Sequence, residues 1–236
     1  MRVLVKITLF VHRPDVIAVS GITNKSTVKR AIVERLQNKQ LAVRANPKSY
    51  NTEIGLPLAV FYVELEGRDL ISWLKAMMLC FKKVIMSKNF PRILVLEFGV
   101  SGVGDMRRLI KIVKPRLGVF TDIQQSDFNP RTSVVELANE INELMRVIPH
   151  DNGLVVYNAD DSQIRQMAEQ YEGNKVGFGL SEMADIRAID VRQESDGISW
   201  IVNEQRWQVR KFGSHHIYAE LAAFAVANNY SSPQGE

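Results

Sequence analysis

A lysine and a serine stand side by side where an apolar strand gives way to a helical pattern. Residues 16–20 are apolar except for the last, residues 21–26 read GITNKS, and the helical pattern begins at Thr27. In a loop of this layout the backbone N–H groups and the helix N-terminus face an anion, and Lys25 adds a positive charge. The Ser26 hydroxyl is placed to reach Mg²⁺. The stretch therefore predicts a phosphate-binding loop for a nucleoside triphosphate.

The loop departs from the usual pattern G-x-x-x-x-G-K-[ST] at both framing glycines. Val19 takes the first glycine position and Asn24 the second. Asparagine tolerates positive φ better than most residues, so Asn24 keeps the turn while crowding the phosphates. An ordinary strand-to-helix turn with a Ser/Thr cap is the alternative interpretation.

A second candidate is Glu97, which ends the apolar strand 92–98. At a parallel strand's carboxyl end it could hold Mg²⁺ opposite Ser26. The alternative is a carboxylate paired with a lysine or capping the glycine-rich loop that follows.

Bulk composition fits a folded protein. The chain has 236 residues, an apolar fraction of 46%, a net charge of +4 and one cysteine, Cys80. The lone cysteine suits a reducing compartment, and the absence of a long apolar run argues against a transmembrane segment. We therefore expect a cytoplasmic protein, with residues 1–11 forming a packed strand or helix rather than a signal peptide.

Apolar runs alternate with helical patterns along most of the chain. The predicted strands are 16–20, 41–45, 92–98, 117–121, 154–157 and 175–179. The predicted helices between them are 27–37, 70–86, 106–113, 133–148 and 162–171. This alternation predicts an α/β fold with a mostly parallel sheet flanked by helices. An antiparallel meander of 186–191, 197–202 and 206–212, a last helix over 215–229 and a disordered tail over 231–236 complete the prediction.

Two further segments carry charge beside apolar residues. An apolar stripe follows the helix Leu70–Met86 with lysines beside it; its members are Leu70, Trp73, Leu74, Met77, Met78, Phe81, Val84 and Ile85. Such a helix packs its stripe on a core, or else contacts a membrane or a partner. The basic cluster between Arg107 and Arg116 lacks interleaved aromatic residues, so we do not expect nucleic-acid binding.

Five motifs occur in the order seen in one enzyme family. They are GITNKS (21–26), NTEIGLP (51–57), EFGVSGVGDM (97–106), NADD (158–161) and GSHH (213–216). In this order and spacing they resemble the central ATP-binding domain of the Mur ligases, closest to the branch that adds D-alanyl-D-alanine to a UDP-muramoyl peptide. The resemblance covers residues 15–230, with 1–14 as a lead-in segment.

The resemblance implies ATP and Mg²⁺ as cofactors and amide formation through an acyl phosphate, in peptidoglycan precursor synthesis. Lys25 would hold the phosphates, and Lys25 and Glu97 would be catalytic. The implied nucleotide contacts are Gly21, Ile22, Thr23, Asn24, Lys25, Ser26, Thr27 and Asn51. The implied magnesium ligands are Ser26, Glu97 and Asp127, the last in place of a family histidine.

Other positions depart from the family. Ile141 falls where the family has a modified lysine, and His216 and Ala219 fall where asparagines help to seat adenine. The family's N-terminal and C-terminal domains have no counterpart in this chain. We therefore consider two hypotheses. The chain is either a ligase domain that acts on a UDP-muramoyl-peptide-like substrate, impaired as a lone chain or completed by a separate chain, or a non-catalytic scaffold that binds a nucleotide or a partner.

Overall fold

The computed structural model describes residues 1–45, 48–65, 67, 69–86, 90–123 and 133–230. The predicted magnesium ligand Asp127 and the tail 231–236 lie outside these ranges.

Within the described residues, seven parallel strands form the main sheet. In spatial order they are β2 (Val43–Arg44), β3 (Ile93–Phe98), β1 (Asp15–Ser20), β4 (Leu117–Phe120), β5 (Leu154–Asn158), β6 (Lys175–Gly179) and β7 (Ile186–Arg187). The chain leaves β1 toward one edge and later crosses to β4 on the other side. Ligands bind at such a switch point, outside the carboxyl ends of the strands.

Helices cover both faces of this sheet. They are α1 (Arg2–His12), α2 (Lys25–Asn38), α3 (Gly55–Phe61), α4 (Leu70–Met86), α5 (Asp105–Ile110), α6 (Val134–Arg146), α7 (Ser162–Glu169) and α8 (Ser214–Asn228). Ile17 and Val19 of β1 face the core under α2 and α8, whereas Val16 and Ala18 face the opposite core. Because β1 is buried on both faces, its sequence is continuously apolar rather than alternating.

The predicted antiparallel unit is present, but its first strand was misplaced. Ile186–Arg187 joins the main sheet beside β6, and the small sheet consists of β8 (Ile189–Glu194), β9 (Gly197–Val202) and β10 (Gln205–Val209). Ala188 lies between the two strands and is buried, so the chain changes sheets within one residue. Continuous alternation across this boundary hid the change from the sequence pattern.

The N-terminal segment forms a helix, α1, which is one of the two forms expected for it. Helix α3 was missed because every one of its residues is buried, so its sequence shows no amphipathic period. None of the described helices is long and apolar enough to cross a membrane.

Candidate nucleotide site

The loop after β1 has the backbone of an anion-binding turn. Gly21 has a φ of +141°, and a Cβ there would lie 2.0 Å from Oγ1 of Thr121. Only glycine fits a position with both constraints. Asn24 is left-handed, with a φ of 60°, and directly precedes the 14-residue helix α2. The predicted turn is therefore present, with asparagine in the conformation that glycine usually supplies.

Two residues after β4 hold the loop in shape. The Thr121 hydroxyl donates to the carbonyl of Thr23 at 2.8 Å. The Asp122 carboxylate accepts from the Thr23 N–H at 2.8 Å and from the Thr23 hydroxyl at 2.6 Å. The carbonyl of Asp122 also accepts the N–H of Ile22 at 2.9 Å. The sequence did not indicate this role, because it depends on β4 becoming the neighbour of β1.

Lys25 folds back over the loop. Its ammonium donates to the carbonyls of Gly21 and Ile22 at 2.9 and 2.8 Å. Burial lowers the pKa of Lys25, while the charges of Glu97 and Asp122 act in the opposite direction. The positive charge is thus held against the loop, where a phosphate would need it.

Ser26 and Glu97 meet beside the first turn of α2. The Ser26 hydroxyl donates to Oε1 of Glu97 at 2.9 Å. The same oxygen forms a buried ion pair with Nζ of Lys29 at 2.8 Å. The alternative in which Glu97 pairs with a lysine is therefore confirmed, and the binding of Mg²⁺ by Glu97 stays a prediction.

Ser26 and Glu97 offer oxygen atoms suited to Mg²⁺. A serine hydroxyl and a carboxylate are hard oxygen ligands of the kind that Mg²⁺ takes, and Mg²⁺ typically needs only one or two protein ligands beside phosphates and water. No group of three or more His, Cys, Asp or Glu suited to a metal occurs in the described part of the chain. The residues present fit a magnesium ion that enters with a nucleotide.

Two cavities flank the loop. One, of about 380 Å³, is lined by Asn24 and Asp122 together with residues from the ends of β5 and α8, including Asp160, His215 and Tyr218. The other, of about 430 Å³, is lined by residues that include Lys25, Asn51, Glu53, Gly99 and Arg108. Both are within the size range of small-molecule sites.

Asn51 lies in the second cavity, close to Gly99. The Gly99 N–H donates to the Asn51 carbonyl at 3.0 Å, and a Cβ on Gly99 would lie 2.6 Å from the Asn51 amide nitrogen. The structure thus brings Asn51 to the same cavity as Lys25.

Thr27 lies in the first turn of α2, where its N–H donates to the Asn24 carbonyl at 3.0 Å.

The first cavity depends on residues that sequence analysis did not select. Asp160 accepts from the N–H groups of Leu180 and Ser181 at 2.7 and 3.0 Å and from the Tyr218 hydroxyl at 2.8 Å. These bonds connect the start of α8 to the end of β5. The NADD motif, which contains Asp160, was the sequence feature that could have indicated this residue.

The start of α8 contributes one histidine to the first cavity. His215 rather than His216 lines the cavity, and Ala219 is buried. The two histidine rings lie 4.1 Å apart. Both residues belong to the first turn of α8, which begins at Ser214 after Gly213 with a φ of +106°.

Ile141 and Glu140 of α6 have different surroundings. Ile141 is fully buried in the core under α5 and α6. Glu140 reaches the start of α5, where its two carboxylate oxygens accept the N–H groups of Gly104 and Met106 at 2.6 and 2.8 Å. The isoleucine is thus a packing residue, and its neighbour has a structural function that the sequence did not indicate.

The basic cluster before β4 is largely paired. Arg116 binds Asp15, Arg107 binds Glu143 at 3.0 Å, and Arg108 binds Asp105. Arg107 and Arg116 thus form ion pairs of the fold, whereas Arg108 also lines the second cavity.

Comparison with known proteins identifies the family. The family model for the Mur ligase middle domain matches residues 79–227. This chain therefore belongs to the Mur ligase family, as its motifs predicted.

Individual relatives agree with this assignment. A UDP-N-acetylmuramoyl-tripeptide–D-alanyl-D-alanine ligase from Bacillus subtilis is 24% identical over 216 residues, which is 89% of this chain and 40% of that protein. A crystal structure of MurF from Acinetobacter baumannii superimposes with a TM-score of 0.73 at 17% identity, covering 97% of this chain and 45% of that one. MurF ligase from Thermotoga maritima in complex with ADP gives a TM-score of 0.72 at 20% identity, covering 96% and 48%.

At these identities the solved structures establish the fold. The chain spans less than half the length of each of these relatives.

Proposed function

We propose that this chain is the ATP-binding central domain of an ATP-dependent carboxylate–amine ligase of peptidoglycan precursor synthesis. The observation that carries the proposal is the formed phosphate loop, with Lys25 against its carbonyls and Ser26 2.9 Å from Glu97. The domain comprises residues 15–230, residues 1–14 are its lead-in, and 231–236 are its tail.

In this proposal the residues of the loop bind and orient the nucleotide. The N–H groups of Ile22 and Thr23 already donate to Asp122. The N-terminus of α2 from Asn24 to Ser26 therefore faces the phosphates, and the Lys25 ammonium leaves the loop carbonyls to contact them. Ser26 and Glu97 hold Mg²⁺, with Asp127 as a third proposed ligand. When bound, Mg²⁺ neutralises the charge that develops on the oxygens of the transferred phosphoryl group.

The two cavities suggest where the reactants lie. The cavity containing Asp160 and Tyr218 accommodates the nucleoside, because Asn24 and Asp122 connect it to the phosphate loop. The cavity containing Lys25 and Asn51 accommodates the carboxylate substrate, a UDP-muramoyl-peptide-like molecule, next to the terminal phosphate. In the family reaction that carboxylate accepts the phosphoryl group, and the amine then displaces phosphate to form the amide. A separate chain or further domain would deliver the amine.

Isothermal titration calorimetry with Mg-ATP tests nucleotide binding. The Lys25→Ala variant should bind at least about tenfold more weakly, a loss of about 1.4 kcal/mol. Lys111→Ala is the matched control, since Lys111 is exposed and outside both cavities. Absence of Mg-ATP binding by the unaltered chain, or equal affinity in Lys25→Ala, would overturn the proposed site.

A second candidate, a non-catalytic nucleotide-binding scaffold, is favoured by the burial of Ile141. An isoleucine enclosed in the core cannot carry the modification that the resemblance implies at that position. Single-turnover ADP formation from Mg-ATP and a UDP-muramoyl tripeptide distinguishes the two candidates, because transfer of the phosphoryl group to the carboxylate forms ADP before the amine is delivered. Substrate-dependent ADP formation supports the ligase, and Mg-ATP binding without ADP formation supports the scaffold.

A further inference from the structure

Helix α4 turns its large apolar side chains away from the protein. Its inner face carries the small residues Ala76 and Cys80, which are 2% and 0% exposed. Ile71, Leu74, Met78 and Phe81 follow one another at helical spacing on the outer face and are 46% or more exposed, as is the adjacent Met77. The core-facing interpretation of this stripe is therefore wrong for Leu74, Met77, Met78 and Phe81. Leu70, Trp73, Val84 and Ile85 lie outside the described side chains.

Helix α1 repeats this arrangement. Val5 and Thr8 are buried, whereas Val3, Ile7 and Phe10 form an outward stripe and are 69%, 46% and 74% exposed. In a water-facing helix these positions would normally be polar. Two separate helices thus present apolar residues where solvent-facing residues are expected.

The two stripes belong to one surface. Helix α1 packs against α4. A shallow cavity of about 480 Å³ between them is lined by Met1, Leu4, Met77, Met78, Phe81 and Lys82. Contiguous apolar patches of this extent are uncommon on soluble monomers and mark interaction surfaces. We call this surface, formed by the outer sides of α1 and α4, the α1–α4 face.

The two helices contribute only basic charges to the α1–α4 face, although Glu64 lies beside Lys75 and Met78 at its edge. Neither helix contains an aspartate or a glutamate, whereas exposed lysines flank the stripes at Lys6, Lys75 and Lys82. The fourth lysine of the two helices, Lys83, points inward and donates to the carbonyls of Phe61 and Tyr62. Apolar side chains bordered by lysines are complementary to a lipid bilayer, whose acyl chains are apolar and whose headgroups can be anionic.

We propose that the α1–α4 face binds the surface of an anionic lipid bilayer. Both helices lie in the plane of the interface, with Phe10 and Phe81 inserted among the acyl chains and Lys6, Lys75 and Lys82 at the anionic headgroups. This inference does not depend on nucleotide binding, because none of these side chains lines either cavity beside the phosphate loop.

Co-sedimentation of the whole chain with vesicles tests the proposal. We expect binding to phosphatidylglycerol-containing vesicles and at least about tenfold weaker binding to pure phosphatidylcholine, because each basic residue adds to attraction by an anionic surface. Phe10→Ser with Phe81→Ser should abolish sedimentation, and Lys6→Gln with Lys82→Gln should weaken it at least about tenfold.

Matched controls separate this face from general surface effects. Val135→Ser with Met183→Ser replaces side chains that are 66% and 65% exposed elsewhere, and Lys111→Gln with Lys114→Gln removes two exposed charges elsewhere. Both control variants should sediment like the unaltered chain. Equal losses in the controls, or no binding to anionic vesicles, would overturn the proposal. A different result would also overturn the proposal: the unaltered chain forms a dimer and does not bind vesicles, and Phe10→Ser with Phe81→Ser dissociates that dimer. A second copy of the chain would then cover the face.

Discussion

Asn24 is the residue at which the phosphate loop departs most from its usual composition. It adopts the left-handed conformation, with its side-chain amide 3.0 Å from the Thr23 hydroxyl and 3.4 Å from Asp122. Glycine reaches this conformation without steric cost and leaves more room beside the backbone. The sequence revealed the substitution, and the structure shows that the turn survives it.

We predict that Asn24→Gly binds Mg-ATP at least about threefold more tightly, a gain of about 0.7 kcal/mol. The gain arises because phosphate can then approach the loop backbone without meeting the asparagine side chain. Calorimetric titration measures the change. Asn24→Ala is the control: it shortens the side chain but keeps a Cβ in the left-handed region, so it should destabilise the fold by about 1 kcal/mol. Unchanged or weaker affinity of Asn24→Gly would show that asparagine does not obstruct the phosphates.

Lys25 makes nucleotide binding sensitive to alkaline pH. Burial places its pKa below the ordinary lysine value, so the ammonium loses its proton at lower pH than an exposed lysine does. Affinity for Mg-ATP should be full below that pKa and decline as the pH rises through it. Titrations between neutral pH and about pH 10 would detect the decline. Lys25→Arg keeps its charge throughout this range and should bind with nearly constant affinity; an equal decline in that variant would assign the effect to another group.

Helix α6 fixes the start of α5 through one buried carboxylate. Glu140 is 5% exposed and accepts one N–H with each oxygen, from Gly104 and from Met106. A glutamine offers only one acceptor oxygen, so one N–H would lose its partner. The cost of an unsatisfied buried donor is about 1–3 kcal/mol.

Glu140→Gln should therefore lower the free energy of unfolding by about 1–3 kcal/mol, measured by urea denaturation. Glu143→Gln on the same helix removes a half-exposed partner of Arg107 and should cost at most about 1 kcal/mol. Equal costs in the two variants would mean that the bonds to α5 contribute no more than a surface ion pair.

Elements with a clear sequence pattern were predicted well. The apolar runs of β1, β3, β5 and β6 predicted strands, and the amphipathic period of α6 predicted a helix. These predictions succeeded because the strands are buried in the sheet and α6 buries one face only. Prediction failed for α3, which is buried all round. Helix α4 was predicted with the correct bounds, and only the core-facing interpretation of its apolar stripe was wrong. Lys25, Ser26 and Glu97 were identifiable from motifs. Their partners Lys29, Thr121 and Asp122 were not, because these contacts depend on which strands and helices become neighbours.

At the scale of the whole molecule, the candidate nucleotide site joins elements that are distant in sequence. The loop after β1, the ends of β4 and β5 and the start of α8 all line one cavity, and they come from four separate parts of the sheet and its covering helices. A ligand bound there would contact both sides of the switch point between β1 and β4. Its binding energy would consequently oppose unfolding of the domain as a whole.

We predict that Mg-ATP at about one hundred times its dissociation constant raises the midpoint of thermal unfolding by about 5–10 °C. This follows from about 2.7 kcal/mol of stabilisation at that saturation and from the unfolding entropy of a domain of this size. Differential scanning calorimetry with and without Mg-ATP measures the shift. Lys25→Ala at the same ligand concentration should show at most about half this shift, because a tenfold weaker affinity lowers the stabilisation to about 1.4 kcal/mol. An equal shift in that variant would show that the stabilising ligand binds somewhere other than the loop between β1 and α2.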